Sequence, residues 1–517
     1  MRTRKGHSIR HDFTLYDAVR RNVQVFPDRL AFVDGDKRLT FKQFFDLVNH
    51  LAVGIRKEGI KRGDRIGIMS RNNLEYVALY FAAARCGAIF VPVNTRLSQE
   101  EIQYILSDCQ PKLLFADSFF HPMLDPDILK IDSVRKRFSM EEGKDHFLDF
   151  DQLIHGDTDM KEVHIRGEDG LIIIYTAAVE GRPRGAMLSH ANVLASNIQI
   201  MTGLSLKSDD VYLGVLPLFH VAGLIFSSNI FHTGAANVIL SQFDPLAALQ
   251  LIQQENISIL FEFSPMLQQI VEKMREQKYD ASSVRLVLGI TYPDCFEEFQ
   301  AETKAVFYRV WGQTETSSFI TACRHDERPG SVGRALPLTH IRIVDDQGRP
   351  AGVGQPGEIV VRSPQVFKGY WNLEEETTYT FREGWHHTGD LGRLDEEGFL
   401  SFVGRKQEKE LIKTGGENVY PAEVESAILK HPDIAEVSVI GVSDPKWVES
   451  IKAVCVTKEG RVVTEKELID FVSQRIAPYK KPRIVQFVDG LPKTERGEID
   501  RAKVKVKYGG VTRQPPI

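Results

Sequence analysis

Cysteine pairs, long apolar runs and an excess of one charge are all missing from this chain of 517 residues. The five cysteines are scattered, and no two have the Cys-x-x-Cys spacing. That absence argues against a structural zinc site and against a disulfide framework. We therefore expect reduced thiols in a cytoplasmic protein.

The chain also lacks a recognisable membrane or export segment. The apolar stretch 80–93 contains Arg85 and is too short to span a bilayer. The first five residues, MRTRK, are basic, but the apolar segment of a secretory signal does not follow them. We expect a protein that does not span a membrane.

Positive charge is not in excess, because 65 Lys and Arg residues face 70 Asp and Glu residues. Nucleic-acid binders usually concentrate positive charge, so we expect no nucleic-acid partner. Hydrophobic residues make up 42% of the chain, an ordinary proportion for a globular protein. The length predicts two or three domains.

Helical and strand patterns alternate along most of the chain. Residues 65–69 read as a strand, 74–85 as a helix and 88–93 as a second strand. This alternation continues past residue 300 and is typical of an α/β domain with buried, largely parallel strands.

The pattern changes near residue 400, where a short charged stretch, GRKQEKE, occupies 404–410. The elements predicted after it are a helix at 421–430, strands at 436–442 and 452–458, a helix at 465–476 and a strand at 484–488. We therefore predict two domains, 1–404 and 405–517, of which the second is a compact α+β unit.

The first segment that suggests chemistry is 172–185, IIIYTAAVEGRPRG. An apolar strand enters a loop with two arginines, and a helix is expected to begin near Ser189. Free backbone N–H groups at such a helix start can bind phosphate. A connecting loop with solvated arginines is the alternative.

The second segment is 310–316, VWGQTET. Its aromatic ring can stack on a base, and its carboxylate can hold Mg²⁺ beside phosphates. A Thr-rich turn without a ligand is the alternative.

The third segment is 384–392, GWHHTGDLG. Asp390 can accept the hydroxyls of a ribose, or it can cap a loop as an Asx turn. His386 and His387 suggest a metal site, but adjacent residues on a strand point to opposite faces.

The fourth segment is 411–421, LIKTGGENVYP. Its paired glycines allow a backbone or a narrow ligand to approach closely. The alternative is an ordinary turn before a helix that starts at Pro421.

In order and spacing, these four segments resemble the adenylate-forming superfamily of acyl-CoA synthetases, aryl-CoA ligases, luciferases and peptide-synthetase adenylation domains. The resemblance covers nearly the whole chain. Other segments that carry it are LTF at 39–41, KRGDR at 61–65, LPLFHV at 216–221, GSVG at 330–333, GEI at 357–359 and LPKT at 491–494.

The resemblance implies an α/β fold with a large, multi-layer N-terminal domain and a small, mobile C-terminal domain. It also implies an AMP-forming acid–thiol ligase that uses ATP, Mg²⁺ and coenzyme A. The carboxylic acid attacks the α-phosphate of ATP, giving acyl-AMP and pyrophosphate. The small domain then rotates, and the thiol of CoA attacks the acyl-AMP.

In the resemblance, Asp390 and Arg405 hold the ribose hydroxyls and Trp311 lies against the adenine. Thr314 contacts the α-phosphate, and Glu315 helps to bind Mg²⁺. The other nucleotide-binding residues that it implies are Thr176, Arg184, Gly312 and Gln313.

The resemblance places His220 at the mouth of the acyl pocket and Gly415 and Gly416 along the pantetheine tunnel, with Lys413 also binding CoA. It places the pivot of the moving domain near Lys409. Two extra residues separate Arg405 from the segment 411–413, so that Lys406 and Glu410 remain alternatives.

The phosphate loop departs from the family pattern Tyr-Thr-Ser-Gly-Thr-Thr-Gly-x-Pro-Lys-Gly. Its ends fit, with Arg184 in place of Lys, but AAVE at 177–180 replaces Ser-Gly-Thr-Thr. The loop has thereby lost three hydroxyls and a glycine and gained a carboxylate, Glu180, which would repel phosphates.

Two other departures follow. Glu498 stands where the family has a lysine that reaches the adenylation site, and GITYP at 289–293 replaces a Gly-Gly-Ala-Pro-like run.

Three hypotheses about function fit these departures. The first is a working ligase, biased toward the thioester step or the reverse direction. The second is a catalytically weakened binding relative, and the third is a stand-alone adenylation domain that loads a carrier protein.

The identity of the acid is not readable from the sequence. We expect its pocket around His220 and Gly223, with 261–265 nearby. Phe219, Phe261 and Phe263 fit the lining of this pocket and fit the hydrophobic core equally well. The sequence leaves the oligomeric state open, with a homodimer among the alternatives.

Overall fold

A computed structural model describes residues 12–154, 160–176, 182–290, 293–406, 410–414, 417–444, 447–494 and 499–510. The α-helices in these ranges are α1 (Leu15–Val25), α2 (Phe41–Lys57), α3 (Leu74–Cys86), α4 (Gln99–Cys109), α5 (His121–Leu124), α6 (His190–Gly203), α7 (Val221–Thr233), α8 (Pro245–Gln254), α9 (Met266–Glu276), α10 (Pro293–Thr303), α11 (Glu374–Thr380), α12 (Pro421–Leu429), α13 (Glu465–Ser473) and α14 (Arg501–Tyr508).

The strands in the same ranges are β1 (Leu30–Asp34), β2 (Lys37–Thr40), β3 (Arg65–Met69), β4 (Ile89–Pro92), β5 (Leu113–Ala116), β6 (Lys136–Ser139), β7 (Phe147–Asp149), β8 (Gly170–Thr176), β9 (Arg184–Ser189), β10 (Val211–Gly214), β11 (Ala236–Ile239), β12 (Ile259–Phe263), β13 (Leu286–Ile290), β14 (Val306–Gln313), β15 (Ser318–Arg324), β16 (Arg334–Ala335), β17 (His340–Val344), β18 (Gly357–Arg362), β19 (Gly369–Tyr370), β20 (Phe381–Arg382), β21 (Trp385–Leu394), β22 (Leu400–Arg405), β23 (Ile412–Thr414), β24 (Glu417–Val419), β25 (Ile434–Asp444), β26 (Val448–Thr457) and β27 (Ile484–Phe487).

The larger part of the chain holds three sheets. Sheet A has nine strands in the order β16-β15-β14-β13-β12-β10-β11-β1-β2, and sheet B has eight in the order β19-β9-β8-β4-β3-β5-β6-β7. Sheet C has five, β17-β18-β21-β20 with β22 against β21. The central strands of sheets A and B run parallel, as the alternation predicted.

The C-terminal part is built on sheet D, in the order β24-β23-β26-β25 with β27 against β26. It buries its own apolar core, which includes Ile412, Val424 and Leu468. The predicted mixture of a large α/β part and a small α+β part is thereby confirmed.

Local sequence explains where several helices start. Thr40, Ser98 and Ser189 each begin a helix with a capping box, in which side chains satisfy backbone N–H groups. Gly87 ends α3 in the left-handed conformation that glycine adopts at little cost.

One predicted local structure was wrong. Residues 172–189 are not a strand, a loop and a helix start, because β9 follows the loop and pairs antiparallel with β8. Ser189 does cap α6, but it lies at the far end of β9 from the loop. The N–H groups of α6 therefore cannot bind a phosphate held in that loop.

No helix among the described residues combines the length and the apolar composition needed to cross a bilayer. No disulfide joins any of the five cysteines, all of which lie within the described residues.

Candidate active site

Asp390, on β21, is buried and accepts three hydrogen bonds. Trp311 Nε1 and Gln313 Nε2 donate to Oδ2 at 2.9 and 3.0 Å, and Arg405 Nε donates to Oδ1 at 2.8 Å. A carboxylate has about four acceptor positions, so about one remains open, on Oδ1. The structure thus joins four of the predicted nucleotide residues in a single cluster.

This cluster carries unmatched positive charge. Arg405 Nη1 is buried and has no hydrogen-bond partner among the described residues. Burial, together with the nearby charge of Arg405, lowers the pKa of the half-buried Lys413 ammonium to about 8. A site with an open guanidinium donor and a destabilised ammonium favours an anionic ligand.

Glu358 anchors the strand that carries Asp390. It accepts from His387 Nδ1 at 3.0 Å, from Lys406 Nζ at 2.8 Å and from the backbone N–H of Gly389 at 3.0 Å. Burial opposes ionisation of Glu358, but these partners hold its pKa at about 2. His386 instead lies near Gln313, at 3.5 Å, so the two adjacent imidazoles have different surroundings and do not converge on one metal.

A second cluster forms around Glu315, which follows β14 in a short 3₁₀ turn with Thr314. Tyr370 Oη donates to Glu315 Oε1 at 2.7 Å, and the Arg184 guanidinium lies 5.7 Å from the centre of the Tyr370 ring. Arg184 pairs across the β8–β9 hairpin with Thr176. Tyr370 therefore links Arg184 on sheet B to Glu315, the predicted Mg²⁺ residue.

Gly312 lies between Trp311 and Gln313 of the Asp390 cluster, where β14 and β15 approach closely. A Cβ at this position would stand 2.2 Å from the backbone oxygen of Ser318. Glycine is required there by packing, whatever its role toward a nucleotide.

Sequence reasoning missed Tyr370 and Tyr420. Tyr420 lies between the two clusters and interacts electrostatically with Arg405, Glu315 and Asp390. Burial raises its pKa to about 12. Tyr370 lies in none of the four segments, whereas Tyr420 lies in the fourth, LIKTGGENVYP, but was given no role there.

His220 is the N-cap of α7 and accepts from the backbone N–H of Ala222 at 3.1 Å. Burial lowers the pKa of its imidazole to about 4, and the nearby charge of Arg96 acts in the same direction. The ring meets Phe263 edge to face, with 6.2 Å between centroids. The two rings of His220 and Phe263 therefore form an uncharged, aromatic surface at neutral pH.

Three residues expected near the acyl pocket have core or packing roles instead. Phe261 packs against Phe226 and Phe319 in the core of sheet A. Glu262 lies on the other face of β12, where burial raises its pKa to about 8. A Cβ at Gly223 would stand 2.2 Å from the Pro217 oxygen, so this glycine serves close packing of the chain around His220.

Several predicted residues lie outside the described ranges. They are Lys409, Gly415, Gly416, Glu498 and the loop residues 177–181. Their roles remain predictions from the sequence.

Comparison with known proteins identifies the family of this chain. Residues 19–371 match the family model of AMP-binding enzymes, and 423–498 match that of the AMP-binding enzyme C-terminal domain. The chain is 32% identical to an indoleacetate–CoA ligase of Aromatoleum aromaticum over 505 residues, covering 95% of this chain and 97% of that protein.

Two solved structures extend the likeness, each 28% identical to this chain. A Bacillus subtilis o-succinylbenzoate CoA synthetase bound to a product analogue overlays with a TM-score of 0.84, covering 98% of this chain and 100% of that one. ATP-bound MatB from Rhodopseudomonas palustris overlays with a TM-score of 0.70, covering 97% and 100%. The chain belongs to the AMP-binding enzyme family and is an AMP-forming acid–thiol ligase of the acyl-CoA synthetase type.

Proposed function

We propose that this enzyme joins an aromatic or arylalkyl carboxylic acid to CoA through an acyl-AMP. The observation that carries the proposal is the neutral, edge-to-face wall of His220 and Phe263. An aromatic ring packs well against such a wall, and the buried, neutral imidazole adds no charge. The names of the relatives, which include indoleacetate and o-succinylbenzoate, point to the same substrate class.

The nucleotide is held by the Asp390 cluster. The open position on Asp390 Oδ1 accepts one ribose hydroxyl, and Arg405 Nη1 donates to a ribose oxygen. Trp311 keeps its Nε1 on Asp390, which leaves a ring face for the adenine. Gln313 also donates to the Thr388 carbonyl at 3.1 Å, so its main part is to fix this arrangement.

The phosphates lie between the β8–β9 hairpin and Thr314, with Thr176 and Arg184 on the hairpin side. Glu315 fits Mg²⁺, because Tyr370 occupies one carboxylate oxygen and fixes the side chain while the other oxygen can coordinate. Mg²⁺ commonly takes one protein carboxylate together with substrate phosphates. When bound, it would neutralise charge on the phosphates.

CoA enters beside Lys413, Gly415 and Gly416. The Lys413 ammonium offers a positive charge near Asp390 and Arg405, where the AMP of the acyl-adenylate leaves. We place the pivot near Lys409, because Lys406 is bonded to Glu358 of the larger part while Glu410 lies 3.7 Å from Arg501 of α14. The boundary after residue 404 remains a prediction, and these contacts favour one slightly later.

The departures from the family pattern at 177–180 and at Glu498 weaken the adenylation step. The acid carboxylate attacks the α-phosphorus, and pyrophosphate leaves past a loop that carries Glu180. Glu498 replaces a lysine that would stabilise the developing charge, a loss of about 10²–10³ in rate for one such donor. CoA attack on acyl-AMP uses Lys413 and the glycine pair, so this step is not weakened.

We also propose a cytoplasmic location, which the absence of disulfide bonds among the five cysteines fits. A homodimer is compatible with the sequence, and light scattering of the purified protein measures the oligomeric state directly.

The testing experiment is a screen of carboxylic acids with ATP, Mg²⁺ and CoA, in which AMP and the acyl-CoA are both quantified. Indoleacetate, ferulate and o-succinylbenzoate represent aryl acids, and hexanoate and palmitate represent aliphatic acids. We expect turnover with aryl acids. AMP formation without a thioester would favour carrier loading, and nucleotide binding without AMP formation would favour a binding relative.

A further inference from the structure

Three charged side chains are buried together where the two parts of the chain meet. Lys480 Nζ donates to Glu423 Oε1 at 2.6 Å and also to Glu101 Oε1. The side chains of Lys480, Glu423 and Glu101 are 1%, 5% and 9% exposed. Glu101 belongs to the region matched by the AMP-binding model, whereas Glu423 and Lys480 belong to the C-terminal region.

The bond between Lys480 and Glu101 is therefore a buried ion pair between the two parts. Buried ions are tolerated when they are paired and hydrogen-bonded, and removing one partner leaves an uncompensated charge. Separating the two parts removes Glu101 from Lys480 but keeps Glu423 with it. The ion pair between Lys480 and Glu101 can thus form or break when the C-terminal part moves, while Lys480 and Glu423 move together.

The trio lies at the base of the segment that enters the active site. Glu423 is in the first turn of α12, ten residues after Lys413 and three after Tyr420. A second contact, between Arg96 and Glu417 at 2.5 Å, fixes β24 of the same segment. These two contacts tie the segment 412–423 to the larger part, with Lys413 beside Asp390.

We propose that Lys480 is a positioning residue for thioester formation: its bonds to Glu101 and Glu423 hold the C-terminal part with Lys413 against the Asp390 cluster. Lys480 itself lies outside that cluster and acts through Lys413. The inference rests on the proposed function in assigning Lys413 to the CoA step.

The trio also makes this arrangement depend on pH. With both carboxylates ionised the trio carries one net negative charge, and Glu423 Oε2 is buried without a partner among the described residues. Burial raises the pKa of Glu423 to about 7, whereas the charge of Lys480 outweighs burial at Glu101 and keeps its pKa low. The other titratable or charged groups facing the trio are Arg96, Glu417 and Tyr479.

The docked arrangement favours protonated Glu423. The contribution of Glu423 to docking of the C-terminal part is therefore present below neutral pH and is lost as pH rises through about 7. We expect the docking equilibrium to weaken by about tenfold between pH 6 and pH 8, because one linked proton with a pKa near 7 is lost across this range. Glu423→Gln should remove that dependence, since an amide stays neutral.

The decisive variant is Glu101→Gln. Glutamine keeps the capping box with Ser98 and so preserves α4, but it removes the charge that pairs with Lys480. Glu100→Gln is the matched control, since Glu100 is the preceding residue on α4 and is exposed. Glu101→Asp is the conservative variant.

Two readouts are needed. Hydrogen exchange by mass spectrometry, without substrate, reports on peptides from α4 and α12. The two half-reactions are measured as acid-dependent pyrophosphate exchange with indoleacetate, and as acyl-CoA formation from synthetic indoleacetyl-AMP and CoA.

We expect Glu101→Gln to speed exchange in α4 and α12 and to slow thioester formation by about tenfold, with pyrophosphate exchange little changed. Glu100→Gln should match the wild type, and Glu101→Asp should recover part of the loss. Unchanged exchange, or equal losses in both half-reactions, would overturn the positioning role. If the wild type shows neither half-reaction, the proposed function fails, while the exchange data still decide whether the trio holds the two parts together.

Discussion

The carboxylate of Asp390 is shared among donors from two strands, β14 of sheet A and β22 of sheet C. Trp311 and Gln313 reach it from one strand and Arg405 from the other, so that one buried charge fixes three predicted nucleotide residues. A change at Asp390 should therefore affect the proposed ribose binding directly and also through its neighbours.

Asp390→Asn should weaken AMP and ATP binding by about ten- to a hundredfold, since it loses a charge-assisted acceptor for a ribose hydroxyl. Asn keeps the shape and one acceptor oxygen, so the fold should persist. Isothermal titration calorimetry with AMP measures the effect. Glu396→Gln, in the exposed turn after β21, is the control, and an unchanged AMP affinity in Asp390→Asn would refute the assignment.

Lys413 gives a second prediction at this scale, through its ionisation. Its pKa is lowered to about 8, chiefly by burial, so the ammonium is present below that pH and is lost above it. The KM for CoA should rise as pH increases through about 8. In Lys413→Arg, which stays charged, this rise should be absent or shifted to higher pH. Steady-state kinetics from pH 6.5 to 9.5 provide the test, and identical profiles would exclude Lys413 from CoA binding.

At the scale of elements, the β8–β9 hairpin replaces the expected strand and helix start. Because β9 pairs antiparallel with β8 and α6 begins only after β9, the predicted phosphate site between these strands receives no help from the N-terminus of α6. The substitutions in 177–180 therefore matter more than they would beside a helix dipole.

Glu180→Thr should lower the apparent KM for ATP, and Glu498→Lys should raise the adenylation rate, because each removes a negative charge from the predicted phosphate site. Rapid-quench measurement of acyl-AMP formation tests both, with thioester formation from synthetic acyl-AMP as the step that should not change. Glu162→Thr, at an exposed position before β8, is the control.

The competing expectation is that Arg182, Arg184 or Arg496 pairs with these glutamates and rebuilds the site. Either reversion would then leave an arginine unpartnered and slow adenylation. Wild-type adenylation faster than thioester formation, together with slower adenylation in both variants, would show that the departures are adaptations.

At the scale of the whole molecule, the link between the two parts is short. Lys406 is anchored to Glu358 on sheet C, and Glu410 lies near Arg501 and Lys505 of α14. Any rotation of the C-terminal part must therefore be absorbed by a few backbone dihedrals between residues 406 and 410.

Lys409→Pro should impair thioester formation more than acyl-AMP formation, because proline fixes φ at one of these few residues. The ratio of the two half-reaction rates is an internal control, because partial unfolding would lower both rates equally. Equal loss in both, measured by pyrophosphate exchange and by thioester formation from synthetic acyl-AMP, would argue against a pivot at this position.

The sequence alone determined the family, the alternation of helices and strands, and the start of α3, α6, α12 and α13, because these depend on motif order and on local periodicity. It also supplied Asp390, Arg405, Trp311 and Gln313, which motif spacing identifies and which the structure places together. The β9 strand was missed because its pairing partner, and not its own short pattern, makes it a strand.

Only the tertiary structure decided what surrounds these residues. Tyr370 meets Glu315 from 55 positions away, and Lys480 meets Glu101 from 379 positions away, distances at which local spacing carries no information. The same holds for the ionisation of Lys413 and Glu423. Their pKa values are set by burial and by charges brought from distant strands and helices, which exist only once the two parts of the chain have packed together.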